Sequence, residues 1–188
     1  MLRIITGIAK GKRIDTLEGE LTRPTSERIK EAMFSAIQFD IEGRRVLDLF
    51  AGSGQLGLEA LSRGAESVSF VDSSREAMDT VKKNARTTGF FDKCRYIVSD
   101  WRNYTRKASG KDKYALVFID PPYAMECCVD ALKRLTEAEL LSKGALVVLE
   151  SGTEEIDTSA LCGFKVMKST HYGKKTALNI LFYKGEDE

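Results

Sequence analysis

Short apolar runs recur along most of the sequence, and segments long enough for a helix separate most of them. The runs are rich in Val and Ile and most are too short for helices, so they predict β-strands. They are residues 46–50, 68–71, 96–98, 115–119, 145–149 and 177–183. Apolar strands that alternate with helices are typical of a parallel sheet covered on both faces. The sequence therefore predicts a doubly wound, mostly parallel α/β fold.

The connections between the predicted strands differ in length. Residues 73–76 form a capping box, and apolar residues at helical spacing follow until Gly89, so both ends of one crossover helix are marked. Only residues 171–175 separate the last two predicted strands, 162–168 and 177–183. That connection is too short for a parallel crossover, so we expect an antiparallel hairpin at the end of the sheet.

Length and composition exclude several classes of protein. A chain of 188 residues with 43% hydrophobic and 30% charged residues is typical of one globular domain, here residues 1–188. No apolar run reaches the 18 or so residues of a membrane span, and the N-terminus lacks the apolar core of a signal peptide. The four cysteines show no metal-binding spacing and are expected to be reduced thiols. We therefore expect a cytoplasmic protein, with a monomer favoured.

Residues 1–44 form an extension ahead of the predicted catalytic core, residues 45–188. Segments 2–6 and 12–16 flank two glycines and predict a small hairpin, and Thr25 is the predicted cap of a helix. The apolar face of that helix comprises Ile29, Ala32, Met33, Ala36 and Ile37. Basic residues without acids occupy residues 1–14, and they predict either phosphate contacts or a solvated hairpin face. Lys174 and Lys175 carry the same two alternatives.

A glycine-rich motif follows the first strand of the predicted sheet. Residues 47–57 contain G-x-G-x-x-G at the start of a predicted helix, where the backbone can approach a ligand closely. Asp72 ends the next strand, where a carboxylate can accept hydrogen bonds from both hydroxyls of a ribose. The two features predict a nucleoside site that fits NAD as well as S-adenosylmethionine. A tight strand-to-helix turn without a ligand is the structural alternative.

Two further sites distinguish between those cofactors. Asp100 and Trp101 follow the third strand, where an acid can accept a hydrogen bond from an adenine amine while a ring covers the base. Residues 120–123, Asp-Pro-Pro-Tyr, follow the fourth strand directly, at the edge where open α/β sheets bind ligands. A nicotinamide enzyme needs neither feature. The pair therefore favours S-adenosylmethionine.

The Asp-Pro-Pro-Tyr segment suits methylation of an aromatic amine, which is a poor nucleophile because its lone pair is delocalised. Asp120 and the Pro121 carbonyl can accept the two N–H bonds and hold the nitrogen in line with a methyl donor. Pro121 and Pro122 fix an extended backbone and remove competing donors. Tyr123 supplies a ring on which an extruded base can stack. A rigid loop that only ends a strand is the structural alternative.

These motifs together resemble the RsmD family, Rossmann-like S-adenosylmethionine-dependent methyltransferases that modify N2 of a guanine in 16S ribosomal RNA of the bacterial small subunit. The resemblance is carried by residues 3–7, 10–13, 23–25 and 28–34 together with Asp-Pro-Pro-Tyr, and it extends to about residue 183. It implies that Asp120, Pro121, Pro122 and Tyr123 hold the target amine. It also places residues 23–25 at the mouth of the site. Members of the family often have Phe where this chain has Tyr123.

The motifs predict a methyltransferase that uses S-adenosylmethionine and needs no metal, and the resemblance implies that its substrate is guanine N2 of ribosomal RNA. Predicted cofactor residues are Asp48, Gly52, Ser53, Gly54, Asp72, Asp100 and Trp101, and predicted RNA contacts are Lys10, Lys12, Arg13, Arg23, Thr25 and Arg28. Arg23 and Arg28 could equally form ion pairs at a helix end. The expected partner is ribosomal RNA within a small-subunit ribonucleoprotein. Adenine-N6 methylation of DNA or RNA, an NAD-dependent oxidoreductase and a non-catalytic RNA-binding assembly factor are the alternatives.

Two further features are expected to be structural. His171 is the only histidine, and no nucleophilic Ser or Cys motif accompanies it, so a loop or packing role is favoured over catalysis. Residues 109–113 are predicted to form a mobile surface loop.

Overall fold

The computed structural model describes residues 2–17, 24–108, 110, 112–121, 126–151, 161, 163–172 and 176–185. The N-terminal extension contributes β1 (Leu2–Arg3), β2 (Arg13–Ile14) and α1 (Pro24–Ala36). Strands and helices then alternate, and two strands end the chain. They are β3 (Arg45–Asp48), α2 (Gln55–Ser62), β4 (Ser67–Asp72), α3 (Arg75–Thr88), β5 (Cys94–Val98), α4 (Trp101–Lys107), β6 (Tyr114–Ile119), α5 (Glu126–Glu137), β7 (Leu141–Ser151), β8 (Phe164–Tyr172) and β9 (Thr176–Tyr183).

A seven-stranded sheet of order β5-β4-β3-β6-β7-β9-β8 forms the centre of the fold. The first five strands in this order are parallel, and β9 pairs antiparallel with both β7 and β8. The predicted doubly wound sheet and its C-terminal hairpin are therefore confirmed. The hairpin strands are longer than predicted, because β8 continues through His171, which pairs with Ala177. His171 thus lies in an exposed edge strand rather than in the connection.

Apolar side chains cover both faces of this sheet. Alternate residues of each central strand point to opposite faces, so Val46 and Phe118 pack on one side, whereas Leu47 and Val117 pack on the other. The first core receives side chains from α1, α2 and α3, and the second receives them from α4 and α5. Buried residues of the extension join the first core: Leu2, Ile4, Ala9 and Ile14. The extension therefore shares the core of the sheet.

The two predicted helices form, with a correction at α1. Ser74 Oγ accepts from the Ala77 N–H at 3.2 Å, and Gly89 ends α3 at φ 86°, as the capping signals predict. The predicted cap at Thr25 is wrong by position, because α1 begins at Pro24. Proline is favoured in the first turn of a helix, because a backbone N–H at that position has no partner within the helix and its absence breaks no hydrogen bond. The buried face of α1 includes Phe34, which was not predicted, whereas the predicted Ala36 is exposed.

The predicted N-terminal hairpin is confirmed but shorter, with Leu2 opposite Ile14. Two buried side chains of α2 attach the segment between its strands to the sheet domain. The Glu59 carboxylate accepts from the Ile5 N–H at 2.7 Å and from the Thr6 N–H at 3.0 Å. Ser62 Oγ accepts from the Ala9 N–H at 3.0 Å, and the Ser62 carbonyl accepts from the Ile8 N–H at 2.8 Å. The extension is thus held by hydrogen bonds as well as by apolar contact.

The loop predicted to be mobile at residues 109–113 is anchored at Asp112. Its carboxylate pairs with Arg95 at 2.6 Å and with Arg45 at 2.9 Å, and these two guanidinium groups lower the pKa of Asp112. A distant strand thus supplies each partner of Asp112. Ser109 and Lys111 lie outside the described residues, and the mobility of this loop stays a prediction. Within the described residues, no helix is both long and apolar enough to cross a bilayer.

Three of the four cysteines lie in the described part of the chain, and all three are free thiols: Cys94, Cys127 and Cys128. Burial raises the pKa of Cys94 to about 11 and that of Cys128 to about 12. The thiols of Cys94 and Cys128 are therefore protonated at neutral pH, and the fully buried Cys128 packs in the core. Cys162 lies outside the described residues.

Candidate active site

The predicted site residues come together at the carboxyl edge of the parallel strands. Backbone hydrogen bonds continue the strand pairing past β3 and β4, namely Leu49 N–H to the Phe118 carbonyl (3.1 Å), Ala51 N–H to Val71 (3.0 Å) and Ser99 N–H to Asp72 (2.8 Å). The glycine motif after β3 therefore lies between the ends of β4 and β6. This is the position at which open α/β sheets bind ligands.

Each glycine of the motif is required by its surroundings. Gly52 and Gly54 have φ of 50° and 79°, a region that residues with a Cβ rarely adopt. The Gly54 N–H donates to the Ala51 carbonyl at 2.7 Å, which closes the turn into α2. A Cβ on Gly57 would lie 2.3 Å from the ring of Phe70. The missing side chains thus allow both the turn and the close packing of α2 on the sheet.

Asp72 lies directly against the glycine motif. Its Oδ2 accepts from the Gly52 N–H at 2.9 Å, and its Oδ1 accepts from the Ser74 N–H at 2.8 Å. An ionised carboxylate has about four lone-pair positions, so it can accept further hydrogen bonds from a ligand. The structure thus brings Asp72 into direct contact with the glycine motif, and the binding of a cofactor by both stays a prediction.

Asp48 lies beneath the same motif and is 1% exposed. Its Oδ2 accepts from the Gly57 N–H at 3.0 Å, a bond between β3 and α2. Burial raises its pKa to about 7, and the charge of Asp72 adds to the shift. Asp48 therefore stabilises the turn between β3 and α2. Direct contact of Asp48 with a cofactor stays a prediction.

The raised pKa of Asp48 predicts a pH-dependent stability. Between about pH 4 and pH 7 the folded protein keeps a proton that the unfolded chain releases, so the free energy of unfolding falls as the pH rises through this window. Asp48→Asn cannot ionise. We expect its stability relative to wild type to increase by up to about 4 kcal/mol between pH 4 and pH 8. Urea unfolding at a series of pH values measures this difference.

Asp79→Asn is the control for that series, because Asp79 is an exposed acid on α3 with a side chain 64% exposed. Its stability should follow the wild-type pH dependence. A curve for Asp48→Asn that also runs parallel to wild type would show that Asp48 ionises normally in the folded protein.

Asp100 and Trp101 begin α4, and the structure gives each a structural contact. Asp100 caps the helix, since its Oδ1 accepts from the Arg102 N–H at 2.9 Å and from the Asn103 N–H at 3.3 Å. Oδ2 takes no hydrogen bond from the part of the chain that the structure describes. The Trp101 ring is 6% exposed and packs against Phe50, 5.9 Å between centroids. Trp101 is thus mainly a core residue, and its predicted cover of a base stays untested.

The hydroxyl group of Ser53 bears on whether a polar ligand fits this site. Its Oγ is buried and is the one buried side-chain polar atom of the described residues without a hydrogen-bond partner. Buried hydroxyl groups without partners are unfavourable, so one in a binding loop suggests a polar group that is supplied by a ligand. The residues at this edge therefore fit a polar cofactor, and they include the predicted Ser53.

Asp120 and Pro121 are half-buried and follow Ile119, the last residue of β6. Because β6 pairs directly with β3, Asp120 is placed one strand away from the glycine motif. Pro122 and Tyr123 lie outside the described residues. The part of the Asp-Pro-Pro-Tyr segment that is described thus shares an edge with the cofactor residues.

Sequence reasoning missed Glu150, which ends the apolar part of β7. Ile119 pairs with Leu149, so Glu150 occupies the register position beside Asp120. Burial raises the pKa of Glu150. An acid directly after the apolar run 145–149 was the available signal.

Phe50, in the glycine motif, was missed for a different reason, because its contact with Trp101 depends on a distant element.

The residues predicted to contact RNA differ in exposure and in their contacts within the protein. Lys10, Arg13 and Arg28 are exposed, as the prediction requires. Lys12 is exposed, but its Nζ donates to the carbonyls of Thr87 and Thr88 at 3.2 and 3.1 Å, so it caps the C-terminus of α3. Arg23, the Thr25 side chain, Lys174 and Lys175 lie outside the described residues.

The chain is similar to known proteins over most of its length. A family model described as "Conserved hypothetical protein 95" matches residues 2–182. "Putative rRNA methyltransferase YlbH" of Bacillus subtilis is 36% identical over 81% of this chain and 84% of its own. "Ribosomal RNA small subunit methyltransferase D" of Haemophilus influenzae is 32% identical over 80% and 78%, respectively. Among solved structures, "Putative methyltransferase yhhF" from Escherichia coli superposes with a TM-score of 0.86 at 26% identity, covering 98% of both chains. The chain therefore belongs to the RsmD family of methyltransferases.

Proposed function

We propose that this protein is an S-adenosylmethionine-dependent methyltransferase that modifies N2 of a guanine in 16S ribosomal RNA. The observation that carries the proposal is the shared sheet edge, where the glycine motif, Asp72 and Asp120 follow neighbouring parallel strands. The names of the relatives, which include a small-subunit rRNA methyltransferase of Haemophilus influenzae, support the substrate class.

Residues already described would hold the cofactor. When bound, S-adenosylmethionine supplies a methyl group activated by a sulfonium. The Asp72 carboxylate would accept hydrogen bonds from the ribose hydroxyls with its remaining lone pairs, and Asp100 Oδ2 would accept from the adenine amine. The orphaned Ser53 Oγ would gain a hydrogen-bond partner from the bound ligand. Cofactor binding would thus satisfy polar groups that are exposed or unpaired in the protein alone.

Asp120 and the Pro121 carbonyl would orient the target amine. Two acceptors facing the N–H bonds favour the pyramidal form of the nitrogen and direct its lone pair at the methyl group. The amine proton becomes acidic only as the new C–N bond forms, so it can leave to Asp120 or to water. No strong base is needed to deprotonate the amine before attack, because a sulfonium leaves as a neutral thioether and can be displaced by a neutral amine.

RNA would approach this edge from the extension. Arg3 and Arg13 face each other across the N-terminal hairpin and are exposed, whereas the side chains of Leu2 and Ile14 are buried. Positive charges on an exposed face release counterions from phosphates and raise RNA affinity without reading sequence. Because the extension is small, we infer that specificity comes partly from a folded ribonucleoprotein that presents one unstacked guanine in the cytoplasm.

The product identifies the reaction. Small subunits from a strain that lacks this protein are incubated with enzyme and labelled S-adenosylmethionine, and the RNA is digested to nucleosides for mass spectrometry. We expect N2-methylguanosine, with a higher yield from assembled subunits than from naked 16S RNA. N6-methyladenosine would show that the adenine alternative is correct. Equal yields from naked RNA would remove the requirement for a ribonucleoprotein.

A further inference from the structure

A buried asparagine joins the N-terminal extension to the glycine motif. Asn84 lies in the middle of α3 and is 1% exposed. Its Nδ2 donates to the carbonyls of Asp15 and Ser53, each at 2.9 Å, and its Oδ1 accepts from the Asp15 N–H at 2.8 Å. One side-chain amide thus contacts two segments that are far apart in the sequence.

On the side of the glycine motif, Asn84 fixes a single peptide group. The peptide between Ser53 and Gly54 has its carbonyl on Asn84 and its N–H on the Ala51 carbonyl, at 2.7 Å. A peptide held at both ends cannot rotate without breaking both hydrogen bonds. The positive φ of Gly54, 79°, depends on the orientation of this peptide, and this φ sets the direction in which α2 begins.

On the side of the extension, Asn84 holds both backbone groups of Asp15. The Asp15 carboxylate also pairs with Lys83, the preceding residue of α3, at 2.6 Å. Asp15 directly follows β2, so this double attachment fixes the end of the basic hairpin on α3. The extension and the cofactor motif are therefore held against one face of the same helix.

We propose that Asn84 is a positioning residue that sets the Ser53–Gly54 peptide for cofactor binding and holds it in register with the extension at Asp15. The cofactor part of this inference rests on the proposed function. Asn84 itself is not a catalytic residue, because it contacts backbone groups only. Loss of its amide should therefore weaken cofactor binding and loosen two separate segments at once.

Amide hydrogen exchange on the protein without ligand tests the structural part. In Asn84→Ala, exchange should accelerate together at Asp15 and at Gly54. Asn84→Asp keeps an acceptor for the Asp15 N–H but loses the donor to the carbonyls of Asp15 and Ser53, so Gly54 should lose more protection than Asp15 does. The control is Thr88→Val, which removes hydrogen bonds of a buried hydroxyl within α3, to the Asn84 and Ala85 carbonyls, without changing the Asn84 side chain.

Isothermal titration with S-adenosylmethionine tests the functional part. We expect the Kd of Asn84→Ala to rise about 10-fold, the loss of roughly one hydrogen bond, with Thr88→Val within about 2-fold of wild type. An unchanged Kd for Asn84→Ala, or exchange that accelerates at only one segment, would overturn the inference. Failure of the wild-type protein to bind S-adenosylmethionine would instead refute the proposed function, while the exchange experiment would still decide the role of Asn84.

Discussion

Replacing Asp120 with alanine is expected to lower the rate of methyl transfer by about 10²- to 10³-fold while the Kd for S-adenosylmethionine stays near the wild-type value. The reason is geometric. Asp120 follows β6, whereas the glycine motif and Asp72 follow β3 and β4. The variant therefore removes an acceptor for the target amine and leaves the cofactor residues in place. Single-turnover methylation and calorimetry measure the two quantities separately.

Two matched variants sharpen this result. Asp120→Asn keeps one acceptor oxygen and should lose less activity than Asp120→Ala. Glu150→Gln changes the neighbouring acid in the register without touching Asp120, and its effect shows whether the second carboxyl group takes part. An Asp120→Ala enzyme within 10-fold of wild type would refute the assigned role. Full complementation of a deletion strain by that variant would favour the non-catalytic assembly factor.

Replacing Gly7 with alanine is expected to destabilise the protein by about 2 to 5 kcal/mol, the sum of left-handed strain and overpacking. Gly7 has φ 84°, and an added Cβ would lie 1.8 Å from the Ser62 carbonyl oxygen. That oxygen accepts from the Ile8 N–H, so the clash falls on the bond that docks the extension on α2. Urea denaturation measures the loss.

Gly11→Ala is the matched control, because Gly11 has nearly the same φ, 81°, but no atom lies within 4 Å of its added Cβ. It should lose only the backbone strain, roughly 1 to 2 kcal/mol. The difference between the two variants isolates the contact with Ser62. Equal losses for both glycines would mean that the extension is not tightly docked at this point.

The elements that the sequence predicts best are those fixed by local signals. The apolar runs identify the central strands, and the capping box and Gly89 mark α3. Because carboxyl ends of parallel strands share one edge, the positions of Asp72 and Asp120 follow from strand order alone. The shared edge of the candidate site is therefore predictable from the sequence.

What the sequence does not predict depends on contacts between distant residues. Lys12 could not be recognised as a helix cap, because its acceptors are 75 and 76 residues away. Asn84 reads as a polar residue of a helix until its partners 31 and 69 residues away are known. The burial of Trp101 is similar, since it depends on contact with Phe50, which lies in the glycine motif about 50 residues earlier in the chain. Periodicity reports the face of an element but not its neighbours.

The attachment of the extension to α2 has a consequence for how one nucleotide is chosen. The N-terminus of α2 forms part of the glycine motif, and Glu59 and Ser62 near its C-terminus carry the basic hairpin. A helix of eight residues is about 12 Å long. If RNA binds as proposed, this helix would set the separation between phosphates on the extension and the methyl donor at the glycine motif. Under the proposed function, an RNA that contacts both surfaces would place in the site only a base at the matching distance from its bound phosphates, so the length of α2 would help to select the nucleotide.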